Sequence, residues 1–317
     1  MKEEIFKIVM PTPFAVGDVN AYLVKGDSLT LIDGGVKTKE AWDAFQNQLK
    51  DLGYKPGDIE QIVLTHHHPD HVGLLDWLPE DIPVYGHPYA RPWLEQDKNF
   101  SKGYDQFYIR LFTEFGMEGN PDHMLAALKA PLRYAARRKL TYEIEEDDVI
   151  PGLENWIILE TPGHAQSHLV FYREEDGTLI AGDHILATIS SNPLLEPSPD
   201  PWKERPKPQL QYNQSLRKML DLEISKVYTG HGTEVMKVRQ LIERRLARQH
   251  ARAMEVQELL KEGPVTTFEL AKNLFPEVYE KQLGLTLSET TAQLDYLLFN
   301  KAALKQFDES GTAYFSA

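Results

Sequence analysis

The chain has 317 residues, of which 42% are hydrophobic and 26% charged, a formal net charge of −14 and no cysteine. That length supplies a core for one large domain and a small one; the lack of cysteine excludes a disulfide framework and leaves any transition-metal site to His and carboxylate. The acidic balance disfavours general attraction to nucleic acid or anionic membrane. No run approaches the ~18 apolar residues of a membrane span, and the acidic start Met1-Lys2-Glu3-Glu4 does not read as a signal peptide, so the expected compartment is the cytoplasm.

Short apolar runs open the chain. Ile5–Val9, Ala21–Val24 and Leu29–Ile32 read as strands of an antiparallel meander, with turns at Pro11-Thr12-Pro13, Gly17-Asp18 and Gly26-Asp27. Asp33-Gly34-Gly35 ends the third. The spacing of Trp42, Phe45 and Leu49 predicts a helix over Lys39–Leu52, capped by Gly53. Gln61–Leu64 is a fourth strand, and it runs into Thr65-His66-His67-His68-Pro69-Asp70-His71. Pro69 and Gly73 place this cluster in a strand-to-helix loop, with a helix starting at Leu74–Leu78 and a short strand at Pro83–Gly86. Imidazoles and a carboxylate crowded on one turn repel when charged, but are compatible when they share a divalent cation. The plain alternative is a His-rich surface tract with no catalytic role.

Residues 88–140 break the strand rhythm and read as a helical insertion. Tyr104, Phe107, Tyr108, Phe112 and Phe115 fall in its first part. In its second, Lys129, Arg133 and Arg137 are four apart and so line one helix face. That face either is solvated and pairs with the chain's acids or belongs to a cap that prefers an anionic substrate. Strands return at Asn155–Glu160, Leu169–Tyr172 and Thr178–Ala181. A proline-rich loop spans 192–208, a helix covers Asn213–Leu220, and Val227–Thr229 is a last strand. A long amphipathic helix over Val238–Glu262 follows, then helices at Thr267–Leu274 and Ser288–Asn300, with Ser288 as N-cap, and a hairpin of Lys305–Phe307 with Ala313–Phe315.

Three further strands end beside glycine and a metal-binding residue type: Thr161-Pro162-Gly163-His164, Ala181-Gly182-Asp183-His184 and Thr229-Gly230-His231-Gly232. Strand ends are where layered α/β folds collect functional groups, and glycine lets the backbone approach closely. His66-x-His68-x-Asp70-His71, followed by these three elements in this order, resembles the metallo-β-lactamase superfamily over about residues 5–235. The resemblance implies an α+β fold, a four-layer αβ/βα sandwich over 1–237, with 88–140 inserted as a helical cap. The remaining 238–317 resembles a winged-helix domain. It also implies two cations: His66, His68 and His164 on the first, Asp70, His71 and His231 on the second, and Asp183 bridging. Zinc suits these ligands, and iron or manganese is admitted. A hydroxide bridging the pair would be the nucleophile, and Asp70 would also carry protons during turnover. His67 is expected to point away from the cations, His168 and His184 to flank them, and His87, His123 and His250 to be structural or exposed. Asp33 reads either as a turn residue or as a partner orienting a ligand histidine.

The absence of a cysteine ligand sets the chain apart from some true β-lactamases, and its motif resembles the glyoxalase II, lactonase and nuclease branches. The tail is reminiscent of β-lactamase-like protein 2, which raises a nuclease or phosphodiesterase reading. Residues 251–317, however, carry 6 Lys/Arg against 10 Asp/Glu, and Ser288–Asn300 holds no basic residue. Phosphate contacts supply most nucleic-acid affinity, so nucleic acid is not the expected partner, and the module is expected to pack on the core or on a second copy in a homodimer. The expectation is therefore a zinc-dependent hydrolase of a small ester or thioester, an acyl-thioester of glyoxalase II type, with Lys129, Arg133 and Arg137 meeting an anionic group.

Overall fold

Apolar, β-branched runs in the first 143 residues form a six-stranded sheet. Its members are β1 (Glu4–Met10), β2 (Val19–Lys25), β3 (Leu29–Ile32), β4 (Gln61–Val63), β5 (Val84–Gly86) and β6 (Tyr142–Glu143), adjacent in that order. The first three are antiparallel and the rest parallel. A second sheet has the order β10-β9-β8-β7, from β7 (Ile157–Glu160), β8 (Leu169–Arg173), β9 (Thr178–Ile180) and β10 (Lys226–Tyr228). This is a computed structural model, and it describes residues 3–198 and 204–317. Of the prolines predicted to mark the long loop, Pro199 and Pro201 lie outside the described residues.

The two sheets stack face to face. Tyr22, Val24, Ile32 and Val63 of the first pack against Ile158, Leu169, Phe171 and Ile180 of the second. β2 is buried along six of its seven residues because it has a layer on each side. On the outer face of the first sheet lies α1 (Lys39–Asp51), started by Thr38, whose side chain accepts from the Ala41 N–H at 3.2 Å. It buries Ala41, Phe45 and Leu49, spaced by three and four, and full burial of Phe45 contributes about 1.5–3 kcal/mol. Gly53, at φ +83°, provides the left-handed turn that ends it. On the outer face of the second sheet lie α6 (Pro208–Met219) and α7 (Val238–Leu260), through Tyr212, Leu216 and Ile242. The result is the predicted four-layer α+β sandwich.

Several boundaries differ from expectation, with a common cause. α2 (Pro69–Val72) starts at Pro69 and α6 at Pro208, five residues before Asn213. Proline lacks only an N–H that the first helical turn leaves unbonded, so it opens these helices rather than excluding them. Asp70 and His71 therefore stand on a helical turn, not in a loop. The insertion between β5 and β6 holds α3 (Arg91–Leu94), α4 (Lys98–Glu114) and α5 (Pro121–Lys129). After α7 come β11 (Val265–Thr266), α8 (Thr267–Leu274), α9 (Leu283–Phe299), β12 (Leu304–Phe307) and β13 (Ala313–Ser316), whose strands make a small sheet ordered β11-β13-β12. Ser288 lies inside α9 rather than at its start. The two-residue strands β6 and β11 are too short to leave a periodic signal.

The C-terminal unit has its own core, with Val256, Leu260, Leu270, Leu294, Leu297 and Phe315. It also shares one with the insertion, where Ala271 and Leu287 meet Phe107, Leu111 and Phe112. No helix among the described residues is long and apolar enough to cross a membrane.

Candidate metal centre

The ends of five strands deliver the predicted residues to one place. β3 ends in Asp33, β4 in the His66–His68 run, β7 in Gly163-His164, β9 in Gly182-Asp183 and β10 in Gly230-His231. The close approach of these turns depends on glycine. A Cβ on Gly230 would lie 2.1 Å from Asp183 Oδ1. At Gly163, φ is +136° and a Cβ would lie 2.5 Å from the Tyr212 backbone. The first sheet is tied to the last turn where the Asn20 N–H donates to the Gly230 carbonyl at 2.7 Å.

All seven side chains converge and are buried or nearly so. Ligand-type atoms of His66, His68 and His164 lie within 4.8 Å of one another, as do those of Asp70, His71 and His231. In the first trio His68 Nδ1 is 3.0 Å from His164 Nε2. In the second, His231 Nε2 is 3.3 Å from Asp70 Oδ2. Asp183 reaches both: its Oδ2 is 3.4 Å from His164 and 3.5 Å from His231, and its Oδ1 is 3.4 Å from His71.

Hydrogen bonds from behind aim these rings. His71 Nδ1 donates to Asp33 Oδ2 at 2.8 Å, His164 Nδ1 to the Asn192 carbonyl at 2.9 Å and His231 Nδ1 to the Asp18 carbonyl at 2.7 Å. His66 Nδ1 donates to Thr65 Oγ1 at 2.9 Å, and that hydroxyl donates to Asp33 Oδ2 at 2.8 Å. Asp33, at φ +64°, also accepts from the Thr65 N–H at 2.8 Å. Of the two readings of Asp33, the orienting one fits, and its strained backbone is held by three donors.

The inward atoms are left over. His66 Nε2, His71 Nε2, His231 Nε2 and Asp183 Oδ1 are buried with no hydrogen-bond partner. Leaving such atoms unsatisfied costs about 1–3 kcal/mol each, so the convergence is unfavourable without a group that binds them all. Neutral imidazole nitrogens around shared carboxylates are the donor set of a divalent cation, and these residues fit one. Titration follows position. Burial, then His164, pushes His68 down to about 3. Burial also acts downward on His231, but Asp183 and Asp70 outweigh it and push the ring up to about 10.

Other predicted histidines separate cleanly. His67 stacks face-on against Trp93, ring centroids 4.5 Å apart, and its Nδ1 lies 2.8 Å from Ser167 Oγ, outside both trios. His168 Nε2 accepts from the Asp183 N–H at 3.2 Å, and His184 packs edge-on against Tyr212. His123 and His250 are exposed. His87 gathers with Glu145 and Glu160, but its Nδ1 accepts from the Tyr89 N–H at 3.1 Å, so the neutral ring carries its proton on the nitrogen facing Glu160 and acts as a donor there.

The basic face predicted from Lys129, Arg133 and Arg137 does not form. α5 ends at Lys129, and Pro131 turns the chain into a 3-10 segment over Ala130–Tyr134. Lys129 pairs with Asp105, and Arg133 lies over the Tyr134 ring. Reading residues 129–137 as one helix passed over that proline. Glu196 and Asn192, which stand directly behind first-trio histidines, were missed, since nothing marks them in a loop without periodicity.

Residues 15–231 match the family model for the metallo-beta-lactamase superfamily. The chain belongs to that superfamily. Within it, the chain is 44% identical over 313 residues to the probable metallo-hydrolase YqjP of Bacillus subtilis (strain 168), covering 99% of this chain and 98% of the relative. It is 27% identical over 253 residues to the thioesterase pkgB of Emericella nidulans, covering 79% of this chain and 56% of the relative. A metallo-beta-lactamase family protein from Thermus thermophilus superposes with TM-score 0.83 at 29% identity, covering 99% and 98% of the two chains. This superfamily member is thus a metallo-hydrolase with His and Asp groups placed to hold metal, and its likeness to the Thermus protein runs through the C-terminal unit as well as the sandwich.

Proposed function

We propose that the chain hydrolyses a small acyl ester or thioester with two cations, zinc being the best fit to the donors. The observation that carries this is the pair of trios joined by Asp183, with their buried nitrogens aimed inward and unbonded. His66, His68 and His164 would hold one cation and Asp70, His71 and His231 the other, with Asp183 shared between them. Such a pair, when bound, acidifies water and polarises a carbonyl.

The chain's own residues do the rest. Asp33, Thr65, Asn192 and Asp18 hold the rings in register before substrate arrives, so little reorganisation is left for the reaction. Asp70, whose Oδ2 is 3.3 Å from His231 Nε2, accepts the proton of the attacking water and returns it to the leaving sulfur or oxygen. Hydroxyl is added to the acyl carbon, the carbon–sulfur bond breaks and the thiol leaves protonated. The insertion sets a largely buried aromatic cluster of Trp93, Tyr104 and Tyr108 beside His67, and an acyl group would lie against that apolar side, in keeping with the thioesterase among the relatives.

The purified, zinc-loaded chain is expected to cleave members of an acyl-thioester panel, and His66→Ala with His68→Ala to remove that activity. Cleavage confined to single-stranded RNA or bis(p-nitrophenyl) phosphate would favour a phosphodiesterase instead, cleavage confined to lactones a lactonase, and an unimpaired double variant would refute the metal mechanism. A pH signature accompanies it. In the stripped chain the folded value of His231, about 10, lies above the ordinary 6.5. Its contribution to stability is complete below about 6.5 and is lost as pH rises through about 10. Urea midpoints of chelator-treated protein should therefore fall between pH 7 and 10 more steeply than those of zinc-loaded protein, where the imidazole is already deprotonated; equal slopes would argue against it.

A further inference from the structure

We infer that Glu196 is a positioning residue for the first trio, fixing the His68 ring from behind, and that α9 of the C-terminal unit holds Glu196 in place. The inference rests on the two-cation reading above.

Four of the five trio histidines are tied through Nδ1 and present Nε2 to the centre. His68 is turned the other way: its Nδ1 faces His164 at 3.0 Å, and its Nε2 points outward. The acidic atom behind it is Glu196 Oε1, at 3.7 Å. That oxygen is buried and has no hydrogen-bond donor, whereas Oε2 of the same carboxylate accepts from the Gln166 N–H at 3.0 Å. A cation taken at Nδ1 would leave the His68 proton on Nε2, facing Oε1, and a small closure of the 3.7 Å gap would then supply the missing donor. His67 stands on the other side, with its Nε2 3.5 Å from the same oxygen. The triple-histidine run thereby divides its labour: His66 and His68 face inward, and His67 braces the carboxylate that braces His68.

Glu196 sits in an irregular segment, so something must hold it. The Leu195 N–H donates to Ser288 Oγ of α9 at 3.1 Å, and the Leu195 carbonyl accepts from Tyr108 of α4 at 2.7 Å. Asn192, whose carbonyl aims His164, donates its side-chain amide to the Leu285 carbonyl of α9 at 3.1 Å. Residues 192–196 therefore steady two of the three first-trio histidines, and α9 steadies residues 192–196. The rival is a third cation among His67, His68 and Glu196, whose ligand-type atoms also lie within 4.8 Å of one another. It would require His68 to give both nitrogens to cations and lose both protons, which a donor to a carboxylate avoids.

The test is a cobalt(II) titration of the chelator-stripped full-length chain against a competing chelator, for wild type, Glu196→Gln and Ser288→Ala. Glutamine keeps an acceptor at only one of the two oxygen positions, and Gln166 and His68 face different ones, so it cannot accept from both. The expected result is two ions on the wild type, with one binding step weakened about 10–100-fold in Glu196→Gln and the other unchanged, the range usual for an outer partner of a ligand histidine. Ser288→Ala, remote from the cations, should weaken the same step by a smaller factor. Two ions on the wild type with both steps unchanged in Glu196→Gln overturns the assignment and leaves the two-cation reading standing. Fewer than two ions on the wild type overturns both. Three ions on the wild type and two on Glu196→Gln replaces the assignment with the third site. If Glu196→Gln does not fold, an unchanged titration of Ser288→Ala is the overturning result.

Discussion

Asp183→Asn is expected to leave a folded protein whose hydrolytic kcat/KM has dropped by well over about 10²-fold, with the loss tracking metal content. Loss of a partner one step removed from a cation typically costs about 10–100-fold, and on the proposed two-cation reading Asp183 would touch both ions directly. Its two oxygens lie against His71, His164 and His231, so this side chain meets both trios. Asparagine matches its shape but removes the charge that would offset two cations and keeps a single acceptor oxygen. Activity assayed beside metal content by mass spectrometry checks the prediction; a variant with two bound ions and near-normal turnover would show that Asp183 does not bridge.

The second large effect lies outside the site. Arg205 grips Asp295 of α9 in a fork, Nη1 to Oδ2 at 2.6 Å and Nη2 to Oδ1 at 2.7 Å, and the Asp295 side chain is only 3% exposed. Arg205→Ala strips a buried carboxylate of its bidentate partner. Lys207, 3.7 Å away and 40% exposed, replaces only part of it. Removing one member of a buried pair typically costs about 3–5 kcal/mol, and that loss is expected in urea unfolding at pH 7. Arg205→Met combined with Asp295→Leu should recover most of it, because the deficit comes from the stranded charge rather than from the pair itself. A single-variant loss below about 1 kcal/mol would mean that the ion pair is dispensable.

Much of this architecture could be read from residues alone because the signals were local. Apolar runs such as Leu29–Ile32 and Gln61–Leu64 marked strands, and glycine beside His164, Asp183 and His231 marked the places where strand ends meet. Prolines were harder to read, since the residue that excludes a helix interior also opens a helix. That ambiguity misplaced the starts of α2 and α6, and at Pro131 it hid the end of α5. Glu196 could not be found in this way. Its role depends on α9, about ninety residues further on, presenting Ser288 to Leu195, and no short-range pattern encodes that meeting.

The depth of the trios bears on how metal comes and goes. Five of the six trio side chains belong to buried residues, and the sixth, His68, is only 14% exposed. An ion seated there would be released only as its ligand rings part, and two of the three first-trio rings are backed by residues 192–196, which are fastened to α4 and α9. Exchange is then timed by protein opening rather than by collision with a chelator, so its rate should level off as chelator concentration rises. The identity of the resident ion becomes a matter of history, set by which cation was at hand when the chain last closed around it.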